Sequence, residues 1–345
     1  MDTILKKERL GEWVAQIGSR ARVFAPAYAD GIWNFSPVAA GVSIELDHGN
    51  TVRPAKGFVF PQREVLYRFR QESGKAPELT ETLPDTTPTV VFGVRPCDGR
   101  AMVRNDKVFT CGFKDPYYSA RRDQVVFVGL ACNMPPSQNC FCLSMGGSPH
   151  SEDGLDVLMT ELDGRYHVKA ITPKGKAIVE SGAALFDKMQ VPDGNAVAKV
   201  HADADKCPQR SLAAMEKIAA GLKEHFESPK WDELARACIG CGACTYLCPS
   251  CHCFDINDEI TGNTPLTGER VRTWDNCQFP DFTMHSSGHN PRHDTGARLR
   301  QRVSHKLLYF VENHNMQQCT GCGRCISHCP VGIDIVRVAT EVTGQ

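Results

Sequence analysis

Cys238-Ile239-Gly240-Cys241-Gly242-Ala243-Cys244-Thr245-Tyr246-Leu247-Cys248-Pro249 decides the reading of this chain. Cys319-Thr320-Gly321-Cys322-Gly323-Arg324-Cys325-Ile326-Ser327-His328-Cys329-Pro330 repeats its spacing residue for residue. Each is a C-x₂-C-x₂-C-x₃-C-P run, in which three closely spaced thiolates hold one [4Fe–4S] cubane and the fourth commonly ligates the other cluster. Gly240, Gly242, Gly321 and Gly323 let the backbone wrap a cubane and aim N–H groups at its sulfides. The expected ligation is therefore crossed, with Cys238, Cys241, Cys244 and Cys329 on one cluster and Cys319, Cys322, Cys325 and Cys248 on the other. Zinc also uses C-x₂-C, but it needs four ligands per site and gains nothing from a third Cys plus Cys-Pro, twice over.

The two runs lie far apart for a compact ferredoxin, and the insert between them contains a strong helical pattern from Asp294 to Glu312. Leu299, Val303, Leu307 and Phe310 share one face of it, with Arg298, Arg300 and Arg302 elsewhere. This predicts an α-helical ferredoxin domain framed by helices rather than β-hairpins. A second helix is expected from about Pro208, where Leu212, Met215, Ile218, Leu222 and Phe226 recur at three- and four-residue steps. Upstream the pattern is mixed α/β. Thr89 to Val94 and Val125 to Leu130 read as buried strands, and Leu155 to Leu162 and Arg165 to Ile171 as a hairpin around Asp163-Gly164. The alternating stretch 42–46 reads as a half-buried strand, and Gly74 to Pro88 as a surface loop. The expected fold class is α+β, with a mixed α/β domain over residues 1–205 and the ferredoxin domain over 206–345.

Of 17 cysteines, eleven crowd between Cys238 and Cys329, and five between Cys97 and Cys142. Cys97 follows the first buried strand, Cys132 ends the next, and Cys140 and Cys142 come soon after on a Pro-containing loop. Ligands at adjacent strand ends can converge on one site, so Cys97, Cys132, Cys140 and Cys142 are candidates for a third [4Fe–4S] cluster, against the plainer reading of ordinary buried thiols. Cys111 and Cys207 lack partners at ligand spacing. Cys251, His252, Cys253 and Cys277 form a residual group for which local packing is favoured over a further metal or a path to a partner. His285, His289 and His293 are spaced by four, but Gly288 and Asn290-Pro291 break any helix that would align them on a metal. The basic stretch Arg292, Arg298, Arg300, Arg302, His305 and Lys306 reads as a solvated or docking face, with Arg292, Arg298 and Arg302 foremost for an acidic partner.

Composition limits the rest. With 345 residues, 41% apolar and 23% charged, the chain is long enough for about two ordinary globular domains. A formal charge of −1 gives no global attraction to nucleic acid or anionic membrane. The longest apolar run, Val125 to Cys132, is too short to span a bilayer, and the charged N-terminus lacks a signal core. A cytoplasmic location is expected, where many cysteines read as metal ligands rather than disulfides. There is no G-x-G-x-x-G after a strand, no G-x₄-G-K-[ST] and no G-x-S-x-G. By fingerprint the chain binds neither nicotinamide nor flavin dinucleotide.

Gly93-Val94-Arg95-Pro96-Cys97-Asp98, Asp115-Pro116-Tyr117-Tyr118 with Arg121-Arg122, and Cys132 through Gly146 resemble the N-terminal domain of the family that joins sulfhydrogenase beta subunits with the electron-transfer subunits of anaerobic sulfite reductase. Trp274-Asp275-Asn276-Cys277, Gly288-His289-Asn290, Arg298 to Lys306 and the second cysteine run are similar to that family's C-terminal half. The resemblance covers nearly the whole chain. It implies an electron-transfer protein with two [4Fe–4S] clusters in the ferredoxin domain and no catalytic residues of its own. The implied partners are a hydrogenase, sulfite or sulfur reductase, or heterodisulfide-reductase-type module, together with a flavin-containing NAD(P)H-oxidising subunit. A rival reading is a self-contained reductase acting on a sulfur substrate through Cys132, Cys140, Cys142, Cys251 and Cys253. Clusters that merely staple the fold are disfavoured, because a chain of this length builds a core without them.

Overall fold

The structure is a computed structural model that describes residues 1–39, 42 and 44–345. Its strands are β1 (Asp2–Lys6), β2 (Arg22–Ala29), β3 (Ile32–Pro37), β4 (Arg63–Gln71), β5 (Glu78–Glu81), β6 (Thr89–Val94), β7 (Val125–Leu130), β8 (Val157–Leu162), β9 (Arg165–Ala170), β10 (Phe186–Lys188), β11 (Phe254–Asn263) and β12 (Leu266–Trp274). The α+β class holds. Eight of these strands form one sheet in the order β10-β1-β9-β8-β7-β6-β2-β3. Its centre, β2-β6-β7-β8, is parallel, and its flanks are antiparallel. β6 and β7 are buried at every position, as parallel strands covered on both faces require. Trp13, Val90, Phe92, Val128 and Val157 pack on one side of this sheet, and Phe60, Met102, Phe127 and Leu158 on the other.

The sequence pattern locates β6, β7 and the β8–β9 hairpin well, and misses elsewhere. Of the expected strand 42–46, Ser43 lies outside the described residues, and residues 42 and 44–46 carry no strand. Leu46 is buried in the core, and the segment beyond it leaves the sheet to reach the cysteine sites: Asn50 Nδ2 donates to the Cys322 carbonyl at 3.0 Å. The expected loop Gly74 to Pro88 contains β5, an exposed edge strand paired with β4.

A second, four-stranded sheet has the order β11-β12-β4-β5. It joins a hairpin from the insert between the cysteine runs to strands from the first hundred residues. The helices of the insert are present, but this hairpin frames the site as well, contrary to an all-helical expectation. Its outer strand alternates Phe254, Ile256 and Ile260 with polar residues and is exposed.

In the C-terminal part, the helix expected from Pro208 starts only at Met215 and runs to Glu224. Residues 208–214 are instead tied to the loop that carries Cys140 and Cys142: Arg210 N donates to the Cys140 carbonyl at 3.1 Å, and Leu212 N to Ser144 Oγ at 3.1 Å. The helix expected from Asp294 is Thr295–Ser304, capped by Asp294 Oδ1 accepting from Ala297 N at 2.6 Å. It continues through a π turn, His305–Tyr309, into Phe310–His314. Phe141 and Met145 pack into the same core as Leu222, Trp231, Leu299, Val303 and Val338, so the two parts of the chain share apolar contacts. Among the described residues no helix is long and apolar enough to cross a membrane.

Candidate iron–sulfur sites

The two cysteine runs fold alike. Gly242 and Gly323 take left-handed φ values of 75° and 74°, and each opens a short helix, Ala243–Tyr246 and Arg324–Ser327. The fourth cysteine of each run then turns toward the other run. One cavity is lined by Cys238, Cys241 and Cys244 together with Cys329, and Cys325 stands in its wall. Cys248 instead faces the opposite group: its field acts on Cys319, Cys322 and Cys325. Cys329 thus lines the cavity of the first run, with Cys325 in the same wall, and Cys248 stands within electrostatic reach of Cys319, Cys322 and Cys325.

Cys97, Cys132, Cys140 and Cys142 also come together, in a second cavity lined by Pro96, Pro135, Pro149, Gly321 and Cys322 as well. Cys97 lies at the start of helix Pro96–Thr110, directly after β6, and Cys132 follows β7. Because β6 and β7 are parallel neighbours, their carboxyl ends open on the same edge, where α/β sheets place their ligands. Among the described residues, no three of His, Cys, Asp and Glu close on a single metal ion. The ligands of a cubane stand farther apart, because each thiolate binds a different iron.

Burial dominates eight of these thiols. It raises the pKa of Cys97, Cys132, Cys140, Cys142, Cys244, Cys319, Cys322 and Cys325, with Cys140 at about 11 and Cys325 at about 12. A bound metal must displace those protons. The complementary charge is already built in. Arg302, on helix Thr295–Ser304, is buried with its Nη2 donating to the Cys244 carbonyl at 2.7 Å and its Nη1 3.7 Å from Cys251 Sγ. Lys306 is buried one turn on, its Nζ 3.4 Å from Ser250 Oγ. Burial opposes its charge, but the Cys248 and Cys251 sulfurs outweigh that and hold the ammonium above its usual range. Lys56 is buried between the Cys251 carbonyl, at 3.0 Å, and the Trp274 ring, at 4.2 Å. Among the described residues none of these three cations forms a salt bridge, whereas buried Arg324 is paired with buried Asp98.

The third group has its own cations. Arg95 and Arg100 are buried beside Cys132 and Cys142; Arg95 Nε and Arg100 Nη1 lack hydrogen-bond partners, and Arg100 Nε lies 3.7 Å from the exposed Asp153 carboxylate. Isolated buried cations are costly without an anion. Tetrathiolate [4Fe–4S] centres are anionic, so the residues of all three groups fit such clusters. The docking face expected at Arg298 and Arg302 is therefore corrected. Arg298 is buried against the Arg292 and His293 carbonyls and Arg302 and Lys306 point at cysteines, whereas Arg292 and Arg300 are half-buried, Arg300 reaching outward to Glu227.

The third group abuts the second run directly. Phe141 N donates to the Gly321 carbonyl at 2.8 Å, and a Cβ on Gly321 would come 2.6 Å from Cys142 backbone atoms. Only glycine allows that approach. Arg324, between Cys322 and Cys97, closes the same seam through Asp98 and the Thr51 carbonyl. At the other end, Cys241 is exposed and Ile239 beside it is 65% exposed. Cys111 is exposed and the Cys207 thiol donates to the Asp203 carbonyl at 3.5 Å; neither lines a cysteine cavity described above.

The residual cysteines converge further than expected. Cys253 and Cys277 are in side-chain contact, and the hydrogen bond from Cys253 lowers Cys277 to about 5. Cys251 meets Cys248 in the same way. The signal was the C-x₂-C-x-C continuation after Cys248, which spacing alone could not connect to Cys277.

Burial also holds His252 near pKa 4, His305 and His48 near 3, and His201 near 4, all below the ordinary 6.5. The folded chain refuses protons that the unfolded chain accepts below pH 6.5. Stability from these four is present above that value and falls as pH drops toward 4. Denaturant midpoints should decline from pH 6.5 to 4.5; a flat profile would refute the assignment.

The 4Fe-4S dicluster domain family matches residues 237–333. The sulfhydrogenase 2 subunit beta of Pyrococcus furiosus is 30% identical over 342 residues, covering 98% of this chain and 97% of the relative. No solved structure matches. The dicluster domain carries two [4Fe–4S] clusters, and by similarity over almost its whole length the chain belongs to the family of sulfhydrogenase beta subunits, iron–sulfur electron-transfer proteins of oxidoreductases.

Proposed function

We propose that this chain is the cytoplasmic, non-catalytic electron relay of a multi-subunit oxidoreductase. On one side stands a terminal hydrogenase, sulfite or sulfur reductase, or heterodisulfide-reductase-type module. On the other stands a flavin-containing NAD(P)H-oxidising subunit, and the chain passes single electrons between the two. Cys238, Cys241, Cys244 and Cys329 hold one [4Fe–4S] cluster, and Cys319, Cys322, Cys325 and Cys248 the second. Cys97, Cys132, Cys140 and Cys142 hold a third, in a domain of residues 1–205 that meets a ferredoxin domain of residues 206–345. Bound clusters supply one-electron acceptance and donation.

The observation that carries this reading is the arrangement in series. The Cys97 group touches the second run through Gly321 and Phe141, Cys329 of the second run lines the cavity of the first, and the first run reaches the surface at Cys241. The protein's part is to hold the thiolates, to surround them with Arg302, Lys306, Lys56, Arg95 and Arg100, and to exclude water with Leu299, Val303 and Ile335. A self-contained reductase is less well supported. The cavity at the first run is walled by cysteines, apolar side chains, Gln278 and Arg302, and among the described residues no carboxylate or histidine lines it.

A nicotinamide delivers a hydride, and splitting it into single electrons is flavin chemistry, so a partner must bring the flavin. Cluster-replete chain mixed anaerobically with NADH or NADPH should keep its visible absorption until a flavoprotein partner is added. Bleaching at catalytic rates in a flavin-free preparation would overturn the relay.

A further inference from the structure

Cys253 and Cys277 belong to none of the three ligand groups, yet they sit together. Cys253 immediately precedes β11 and Cys277 is the third residue after β12, so both lie at the base of the hairpin, where their side chains meet. Asp275 N donates to the Cys253 carbonyl at 3.0 Å, extending the ladder past Phe254 and Trp274. The two thiols touch. Cys277 is 7% exposed, with Thr245 Oγ1 3.6 Å and Gln278 Nε2 3.7 Å from its sulfur, while Cys253 is half-buried beside the 37% exposed Phe254. The environment differs across the pair. Polar donors surround Cys277, and Cys253 is the more exposed of the two. Thr245 also meets Arg302 Nη1 at 3.3 Å, which ties the pair to the loop of the first run.

We propose that Cys253 and Cys277 form a thiol–disulfide couple at the hairpin base, a site that reacts with small organic disulfides. The Cys277 thiolate attacks one sulfur of the disulfide, forming a mixed disulfide and expelling a thiolate. Cys253 then gives its proton to that leaving thiolate and attacks the Cys277 sulfur, forming the intrachain bond and releasing the second thiolate. Two protein cysteines are oxidised and one organic disulfide is reduced to two thiols, so atoms and electrons balance. The inference rests on the ligand sets above only in that neither cysteine is taken as a cluster ligand.

The test uses the intact, anaerobically purified, cluster-replete chain and 2-hydroxyethyl disulfide, followed by acid quench, alkylation and peptide mass mapping. The expected product is a peptide pair joined through Cys253 and Cys277, with a loss of about two alkylatable thiols and unchanged iron. Cys277→Ser should abolish the linked product and retain its iron. Untreated and treated chains that both show Cys253 and Cys277 singly alkylated would overturn the proposal. So would a persistent mixed disulfide that never resolves. Iron loss in Cys277→Ser at wild-type secondary structure would mean that Cys277 is a cluster ligand, and would overturn it separately from the relay reading.

Discussion

Cys329→Ser and Cys241→Ser are expected to perturb the same paramagnetic signal, and Cys248→Ser and Cys322→Ser the other. Cys329 is far from Cys241 in sequence, but both line the cavity at the first run, while Cys248 faces the second. Replacing a thiolate by a hydroxyl removes one strong ligand, so each variant should lose or convert one cluster and leave its neighbour intact. Low-temperature paramagnetic resonance of the reduced variants resolves the pairs. If Cys329→Ser matched Cys322→Ser, each run would own its cluster.

Arg302→Gln is expected to move the potentials of both ferredoxin-type clusters in the negative direction. Arg302 is buried between the runs, and its field falls on Cys244, Cys251, Cys325 and Cys248. Reduction adds a negative charge to a cluster, which a buried cation favours, so losing that cation disfavours the reduced state. Removing one partner of a buried charge constellation also costs about 3–5 kcal/mol of stability. Redox titration with both signals followed together decides this, and Arg302→Lys should restore part of the shift. Unmoved potentials in a folded, cluster-replete Arg302→Gln variant would contradict this placement of charge.

The cysteine runs were legible because cluster ligation imposes a local spacing, and β6 and β7 because parallel central strands are apolar throughout. What spacing could not show was long-range. Arg298, Arg302 and Lys306 recur every four residues and look like a polar stripe on an amphipathic helix. Only the fold shows that Arg302 and Lys306 face cysteines, while Arg298 turns to the Arg292 and His293 carbonyls. The hairpin β11–β12 was hidden for a different reason. Its outer strand is solvent-exposed and rich in Asp, Asn and Glu, so its alternation of Phe254, Ile256 and Ile260 is weak, and its partner strand β4 lies almost two hundred residues upstream. The seam at Gly321 was equally invisible: its glycine serves the loop and also the approach of Cys142, and the sequence displays only the first need.

A three-centre relay needs three clusters, and iron content counts them. Anaerobically purified wild-type chain should hold about 12 iron atoms, and the Cys140→Ser/Cys142→Ser variant about 8 with both ferredoxin-type signals preserved. A wild-type chain with about 8 iron atoms, unchanged in that variant, would contradict the third centre and the series built on it.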